Sequence, residues 1–185
     1  TGWLEQLVAT AEFDARVGCV GALLYYPDGG VQHAGILMQR FSHVSASEPA
    51  ATVPDPKRVF ALQEYSAVTA ALMLVRRRAF QEVGGFDNSF PASFNDIDLC
   101  LKLRERGYQC VYNPAVQAVH HESLTRKITA REKRDAQRMR QRWPDECRDD
   151  PFHNQNVKLR SLEPIDGHER WKMRQLAALL DELEA

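Results

Sequence analysis

The sequence predicts an α/β fold, in which helices flank a mixed sheet of short strands, over residues 1–160. Three observations predict this class. Residues 1–13 place apolar side chains at helical spacing, which indicates an amphipathic helix. The segments 17–26 and 66–75 are almost continuously apolar, as strands buried on both faces are. Gly and Pro punctuate the chain between these segments, so helical and extended stretches alternate.

The composition bounds the class of protein only loosely. A chain of 185 residues, 44% of them hydrophobic and 26% charged, is long enough to bury one core. A formal net charge of −1 indicates no nucleic-acid partner. No apolar run approaches the roughly 20 residues that span a bilayer, and no signal peptide is visible. The cysteines show neither a Cys-x-x-Cys pair nor zinc spacing, which favours reduced thiols in the cytoplasm: Cys19, Cys100, Cys110 and Cys147.

The first third of the chain predicts a helix, two strands and a long loop. The apolar face of helix 1–13 consists of Trp3, Leu4, Leu7, Val8 and Ala11. A tight turn at 27–30 leads into a returning strand at 31–38. That strand carries His33, and a lone histidine in a strand is more often structural than catalytic. Residues 40–57 lose all periodicity, which indicates either a variable surface insertion or a lid.

The middle of the chain predicts a strand, a turn and two helices. Thr69 lies in the centre of the apolar strand 66–75, and the short helix 77–83 ends at a pair of glycines. Asp87 follows in a turn, where its carboxylate is expected to accept hydrogen bonds from nearby backbone amides.

The next helix has an acidic first turn. Asn95 is a suitable N-cap, and Asp98, three residues on, is its expected capping-box partner. Gly107 is expected to end this helix as a C-cap glycine.

Two short strands at 108–112 and 115–119 follow this helix and are separated by an Asn-Pro turn. They place His120 and His121 at the end of a strand. Carboxylates and imidazoles therefore lie at the ends of neighbouring elements, where α/β folds gather their chemistry.

The C-terminal third begins with a basic helix at 128–143. Arg142 lies near its end, and either it contacts an anionic substrate or the arginines form a solvated face. Trp143 ends the helix before a proline and is expected to pack. Residues 161–185 predict a linker and a C-terminal helix.

Several of these phrases occur in an order that resembles one known family. They are Gly-Gly-Phe-Asp at 84–87, Asn-Asp-Ile-Asp-Leu-Cys-Leu-Lys-Leu-Arg at 95–104, Gly-Tyr at 107–108, Asn-Pro at 113–114 and His-His-Glu-Ser at 120–123. This order resembles the C-terminal half of a family 2 glycosyltransferase, and the likeness extends over residues 1–159. The resemblance implies a partial GT-A-like, Rossmann-like mixed sheet and an inverting enzyme that uses a nucleotide-sugar donor.

The resemblance also implies parts that this sequence does not contain. Members of the family carry an Asp-x-Asp metal motif and a nucleotide-binding βαβ half before the segment that matches Gly2-Trp3-Leu4. We therefore expect the chain to be the acceptor-side half of a longer enzyme and to be inactive alone. The whole enzyme is expected to build surface polysaccharide or another glycoconjugate, in the cytoplasm or at the inner face of the membrane.

The general base of the reaction falls, by this resemblance, on Asp96. In an inverting transfer, a base removes the proton of the acceptor hydroxyl on one face of the anomeric carbon. A cation holds the leaving diphosphate on the other face. Near a helix N-terminus the dipole favours the ionised carboxylate, so Asp96 is expected to be ready to accept that proton. The same dipole makes Asp common at this position for purely structural reasons.

The two histidines are the predicted metal site. In metal-dependent relatives, a histidine here joins the Asp-x-Asp aspartates around Mn²⁺ or Mg²⁺. Because adjacent residues of a strand point to opposite faces, only one of them can line the pocket, and the family pattern favours His120 over His121. Imidazole suits Mn²⁺ better than Mg²⁺. Without the aspartates, we expect this chain to bind either ion poorly.

The remaining candidates are substrate-binding residues: Thr69, Asn95, Asp98 and Arg142. The expected partners are a nucleotide-sugar donor and a glycan or lipid-linked acceptor. A function of another class stays open, namely a non-catalytic structural or oligomerisation module derived from the same fold. A half-sheet exposes an edge strand, through which two copies are able to pair as a homodimer.

Overall fold

The computed structural model describes residues 2–38, 59–91, 93–121 and 130–152. The predicted loop 40–57 and the predicted linker and helix at 161–185 lie outside the described residues. In chain order the elements are α1 (Trp3–Phe13), β1 (Val17–Tyr25), β2 (Val31–His33), β3 (Gln63–Tyr65), a 3₁₀ turn (Ala70–Leu72), β4 (Met73–Val75), α2 (Arg77–Glu82), α3 (Asn95–Glu105), β5 (Gln109–Val119), α4 (Ala130–Arg142) and α5 (Pro144–Arg148).

The five described strands form one mixed sheet, which confirms the predicted α/β class. Its order is β2-β1-β5-β3, and β4 also pairs with β1. β1 and β5 run parallel, whereas β2 and β4 pair antiparallel with β1 and β3 pairs antiparallel with β5. β1 is buried over eight of its nine residues, because strands flank both of its edges and its side chains enter cores on both faces.

Apolar side chains form two cores that share β1. The smaller core packs α1 against the sheet through Leu7 and Ala11. The larger core packs α3 and α4 against it and includes Leu99 and Met139. The predicted apolar face of α1 is only partly buried, because three of its five members are largely exposed: Trp3 at 51%, Leu4 at 48% and Val8 at 43%.

The predicted strand 66–75 is wrong in its first part. Residues 66–69 are not strand, and Thr69 is the N-cap of the 3₁₀ turn, where its hydroxyl oxygen accepts a hydrogen bond from Ala71 N at 3.3 Å. Only Met73–Val75 pairs with β1. The apolar run predicted burial, but a threonine that bonds its own backbone favours a turn over a strand.

The predicted strands 108–112 and 115–119 are one strand, β5. Instead of the predicted Asn-Pro turn, the structure has a bulge at this point in the pairing of β5 with β1, where the register shifts. Asn113 Oδ1 accepts a hydrogen bond from Ala115 N at 2.9 Å, which is the expected local turn chemistry. The returning strand 31–38 is likewise shorter than predicted, because β2 ends at His33 and only an isolated bridge at Ile36 continues it.

The residues at the two ends of α3 determine where this helix begins and ends. Gly107 adopts φ +82°, and Tyr108 N donates to Leu103 O at 3.1 Å, so the predicted glycine C-cap is present. At the other end the N-cap is Phe94, at φ +67°, rather than Asn95. No helix in the described residues is both long enough and apolar enough to span a bilayer.

Candidate active site

Asp96 lies in the first turn of α3, and its half-buried carboxylate contacts two backbone segments. Its Oδ1 accepts a hydrogen bond from Ile97 N at 2.9 Å, and its Oδ2 accepts one from Ala70 N in the 3₁₀ turn at 3.1 Å. A carboxylate offers about four acceptor sites, so each oxygen keeps capacity for a further partner. The carboxylate is thus oriented by the backbone and remains partly accessible to an incoming hydroxyl.

The turn that contacts Asp96 is held in place by a hydrogen bond to His33. This histidine is 2% exposed, and its Nε2 accepts hydrogen bonds from Thr69 N at 3.4 Å and from Gly35 N at 3.3 Å. Burial lowers the pKa of His33 to about 3, so its ring is neutral at physiological pH. Because Nε2 accepts, the proton is on Nδ1, which is buried without a partner among the described residues. His33 therefore orients the backbone turn that contacts the candidate base.

Asp98 does not cap α3, which corrects the interpretation of this residue. Its side chain is fully buried, where Oδ1 accepts from Trp143 Nε1 at 3.0 Å and lies 3.1 Å from Arg142 Nε. Its Oδ2 lies 3.2 Å from Lys102 Nζ. A carboxylate enclosed by an indole, a guanidinium and an ammonium is shielded from solvent in this structure. Substrate contact by Asp98 stays a prediction.

Two other candidates for substrate binding also have protein partners. Asn95 Oδ1 accepts a hydrogen bond from Asp96 N at 2.9 Å, beside the candidate base. Arg142 forms ion pairs with Asp98 and with Asp87, so two carboxylates already neutralise its charge. Substrate contacts by Asn95 and Arg142 stay predictions.

Asp87 behaves as the predicted turn residue. Its Oδ1 accepts a hydrogen bond from Ser89 N at 2.7 Å, and its Oδ2 pairs with Arg142. The hydrogen bonds from Ser89, with the contribution of Arg142, hold the pKa of Asp87 well below its usual range. Asp87 and Arg142 therefore join the turn after α2 to the end of α4.

His120 follows the last residue of β5 and is half buried. Its backbone N donates to Tyr25 O at 2.9 Å, so the end of β5 is fixed to the end of β1. Its Nδ1 lies 2.8 Å from Gln32 Oε1. His121, the next residue, is exposed. Gln32 was not predicted as a site residue, although it lies in the phrase Gln-His-Ala-Gly at 32–35 beside His33 and therefore on the opposite face of β2.

His120 is a candidate ligand for Mn²⁺ or Mg²⁺. Gln32 Oε1 contacts its Nδ1 at 2.8 Å, so Nε2 is the ring nitrogen that would bind a cation. The only group of three metal-ligating side chains in the described ranges is Cys19, Cys100 and Cys110. These thiols are fully buried in the core, and thiolates select soft metals rather than Mg²⁺ or Mn²⁺.

The thiol cluster has a packing role. Cys19 Sγ lies 3.9 Å from Cys100 Sγ, Cys100 Sγ lies 3.6 Å from Val68 O, and Cys110 Sγ lies 3.6 Å from Cys100 O. The neighbouring thiols, together with burial, raise the pKa of Cys19 well above its usual range. The cluster is thus a set of small, hydrogen-bonded core side chains.

β2 connects the two halves of the candidate site. Gln32, on one face, contacts His120, and His33, on the other face, contacts the turn that holds Asp96. The described residues thus place a carboxylate in the first turn of a helix and an imidazole at the end of a strand, and both are linked to β2.

The profile of "Glycosyl transferase family group 2" matches residues 29–162, more than half of the chain. The uncharacterized protein y4gI of Sinorhizobium fredii is 38% identical over 179 residues, which cover 91% of this chain and 20% of that protein. The O-antigen biosynthesis protein RfbC of Myxococcus xanthus is 35% identical over 135 residues, which cover 69% of this chain and 10% of that protein.

An N-acetylglucosaminyl-diphospho-decaprenol L-rhamnosyltransferase of Mycobacterium tuberculosis is 29% identical over 138 residues, covering 66% of this chain and 43% of that enzyme. Among solved structures, GalNAc-T7 with UDP, GalNAc and Mn²⁺ has a TM-score of 0.56 at 18% identity, over 95% of this chain and 35% of that one. This likeness shows the fold, which is that of GT-A glycosyltransferases.

The chain belongs to glycosyl transferase family group 2. It spans between one tenth and less than half of the length of the relatives described above.

Proposed function

We propose that the whole protein transfers a sugar from a nucleotide-diphosphate sugar to a glycan or lipid-linked acceptor, with inversion at the anomeric carbon. Asp96 is the general base of this reaction. The observation that carries the proposal is the geometry of the Asp96 carboxylate, which two backbone N–H groups orient while it stays half exposed. Relatives described as a rhamnosyltransferase and as an O-antigen biosynthesis protein support this class of chemistry.

The transfer step uses one remaining acceptor position of the Asp96 carboxylate. The acceptor hydroxyl gives its proton to Asp96, and its oxygen bonds to the anomeric carbon. The bond from that carbon to the diphosphate oxygen breaks on the opposite face, and the diphosphate leaves with the electron pair. A backbone-anchored carboxylate needs little reorganisation to meet the hydroxyl, because it is held before the substrate arrives.

His120 is proposed to act on the leaving-group side. Its ring is held at the end of β5 by Gln32 and by the backbone bond to Tyr25. A bound Mn²⁺ or Mg²⁺ would supply charge neutralisation for the departing diphosphate. The structural neighbour that contains UDP and Mn²⁺ supports this role for a divalent cation. His120 would hold the cation, and His121, which is exposed, is the less suitable ligand.

The protein is also proposed to need residues beyond this chain for activity. In this proposal Asp96 is the base and His120 is one metal ligand, whereas the nucleotide needs a dedicated site. We expect this chain alone to show no transfer. If the acceptor is lipid-linked, transfer takes place at the cytoplasmic face of the membrane, and cell fractionation will locate the protein there. Pairing of two copies through an exposed sheet edge stays a prediction, which the mass of the purified chain in solution will test.

The test is a screen of nucleotide sugars with the full-length protein and Mn²⁺, scored by release of the nucleoside diphosphate. The product must have the opposite anomeric configuration to the donor. Asp96→Asn is expected to lower transfer by about 10²–10⁴-fold, the usual contribution of a general base. Asp145→Asn, at an exposed aspartate of α5, is the matched control and should leave transfer unchanged. Normal transfer by Asp96→Asn would remove the assignment of the base.

A further inference from the structure

Gln32 is a buried amide whose side chain reaches from β2 to the end of β5. It is 5% exposed. Its Oε1 lies 2.8 Å from His120 Nδ1, and its Nε2 donates to His120 O at 3.4 Å. One side chain therefore contacts both the ring and the backbone of the same histidine. The backbone bond from His120 N to Tyr25 O limits the movement of that residue further.

These contacts decide which nitrogen of His120 carries the proton. A backbone carbonyl only accepts hydrogen bonds, so the NH₂ group of Gln32 is the end that faces His120 O. The amide oxygen then faces the ring, and an amide oxygen also only accepts. His120 Nδ1 must therefore be the donor and carry the proton. In a neutral imidazole this leaves a bare lone pair on Nε2.

We propose that Gln32 is a positioning residue that holds His120 in the Nδ1–H tautomer and keeps Nε2 available as a ligand for a divalent cation. Metal-bound histidines commonly donate their second ring N–H to a nearby acceptor, which fixes the ring and the tautomer. Gln32 has the chemistry of such an acceptor. The part concerning the cation rests on the proposed function, whereas the part concerning the tautomer does not.

A neutral amide suits this task in a particular way. A carboxylate at the same place would also accept from Nδ1, but it would add a negative charge in a buried position. Gln32 fixes the ring without charge, so the cation site keeps only the charges of its ligands and of the diphosphate. Among the described contacts, the side chain of Gln32 serves no residue other than His120.

The tautomer is tested first, without metal, by long-range ¹H–¹⁵N NMR of the neutral histidine side chains. The expected spectrum of the wild-type protein shows a protonated Nδ1 and an unprotonated Nε2 for His120. In Gln32→Leu, His120 is expected to populate both tautomers. The matched control is Gln117→Leu, because Gln117 is an exposed glutamine of β5 whose amide donates to the backbone carbonyl of Pro114. A wild-type ring with the proton on Nε2 would overturn the inference.

The second arm measures binding of Mn²⁺ alone to the full-length protein by electron paramagnetic resonance. Gln32→Leu is expected to weaken binding by about 10–100-fold, the usual effect of removing such a partner of a metal-bound histidine. Gln32→Glu, which keeps an acceptor at the same place, should retain binding, and it covers the case in which Gln32→Leu folds poorly. Equal Mn²⁺ affinity in Gln32→Leu and Gln117→Leu would contradict the proposal.

The two arms separate this inference from the proposed function. A protein with the expected tautomer and with Gln32-dependent Mn²⁺ binding, but without sugar transfer, would refute the proposed function alone. A transferase in which His120 carries its proton on Nε2 would refute the role of Gln32 alone.

Discussion

Asp96 and Asp98 lie in the same turn of α3 and carry the same side chain, but they differ in burial and in the groups that contact their carboxylates. Asp96 is half exposed and accepts only backbone N–H groups. Asp98 is fully buried and is surrounded by the charged or polar ends of Lys102, Arg142 and Trp143. A helix turns by about 100° per residue, so two residues separated by two positions face opposite directions. One therefore faces the surface beside the 3₁₀ turn and the other faces α4.

Within one helical turn, Asp96 is therefore placed to react and Asp98 is placed to stabilise the fold. A carboxylate that is to accept a proton must keep access to solvent and substrate, which Asp96 does. A carboxylate that joins two helices must exclude water to strengthen its ion pairs, which Asp98 does. Substitution of each residue should therefore change a different measurable property.

The largest effect on stability is expected from Asp98→Asn. The substitution leaves the largely buried ammonium of Lys102 without its carboxylate partner, whereas Arg142 keeps Asp87. Breaking a buried ion pair typically costs about 3–5 kcal/mol. The free energy of unfolding from urea titration measures this change. Asp145→Asn, at an ion pair whose partners are both largely exposed, should change it by less than about 0.5 kcal/mol. A similar small change in both variants would show that Asp98 does not hold the helices together.

The next effect is a loss of stability at acid pH. It is expected from His33, which supports the turn beside Asp96. The pKa of His33 is lowered by burial from 6.5 to about 3, so between these values the unfolded chain binds the proton more readily. This contribution to stability is complete above about pH 6.5 and is lost as the pH falls towards 3, by up to about 1.4 kcal/mol per pH unit.

Urea titrations at pH 6.5 and pH 4.5 in wild type and His33→Gln will test this dependence. Gln keeps an acceptor for the two backbone amides but does not titrate, so most of the loss on acidification should disappear. His121→Gln, at an exposed histidine, should keep the wild-type dependence. An unchanged pH dependence in His33→Gln would mean that another group causes it.

The smallest of these effects is expected from Trp143→Phe. The variant removes the hydrogen bond from Nε1 to Asp98 Oδ1 but keeps most of the aromatic packing and both cationic partners of Asp98. A hydrogen bond to a charged group contributes about 1.5–3 kcal/mol. Thermal unfolding followed by circular dichroism measures the loss, which should be smaller than that of Asp98→Asn. A loss as large as that of Asp98→Asn would place the main contribution on the indole.

Local patterns in the sequence were sufficient to predict much of the fold. The apolar run of β1, the glycine C-cap at Gly107 and the turn at Asp87 each depend on residues within a few positions of one another. The wrong prediction for Asp98 depends on a distant residue. Asp98 has the spacing of a capping-box residue, but its partner Trp143 lies 45 positions away in sequence and no local pattern indicates that contact.

The candidate site divides in the same way. Asp96 and His120 were predicted by family resemblance, and their catalytic and metal-binding roles stay predictions. Their supporting residues, Gln32 and His33, were not identified as such, because each acts across the sheet on an element far away in the sequence. Positions close in space and distant along the chain are those that single-sequence patterns do not resolve.

We expect Asp96 to act on the acceptor, whereas the contact between Asp98 and Trp143 holds the fold. The most direct measurement is the rate of sugar transfer per folded molecule for Asp96→Asn and Trp143→Phe, with the folded fraction determined in the same buffer and at the same temperature. The account predicts that Asp96→Asn loses at least about 100-fold while its stability is nearly unchanged, and that Trp143→Phe stays close to wild type. An equal loss per folded molecule in both variants would contradict it.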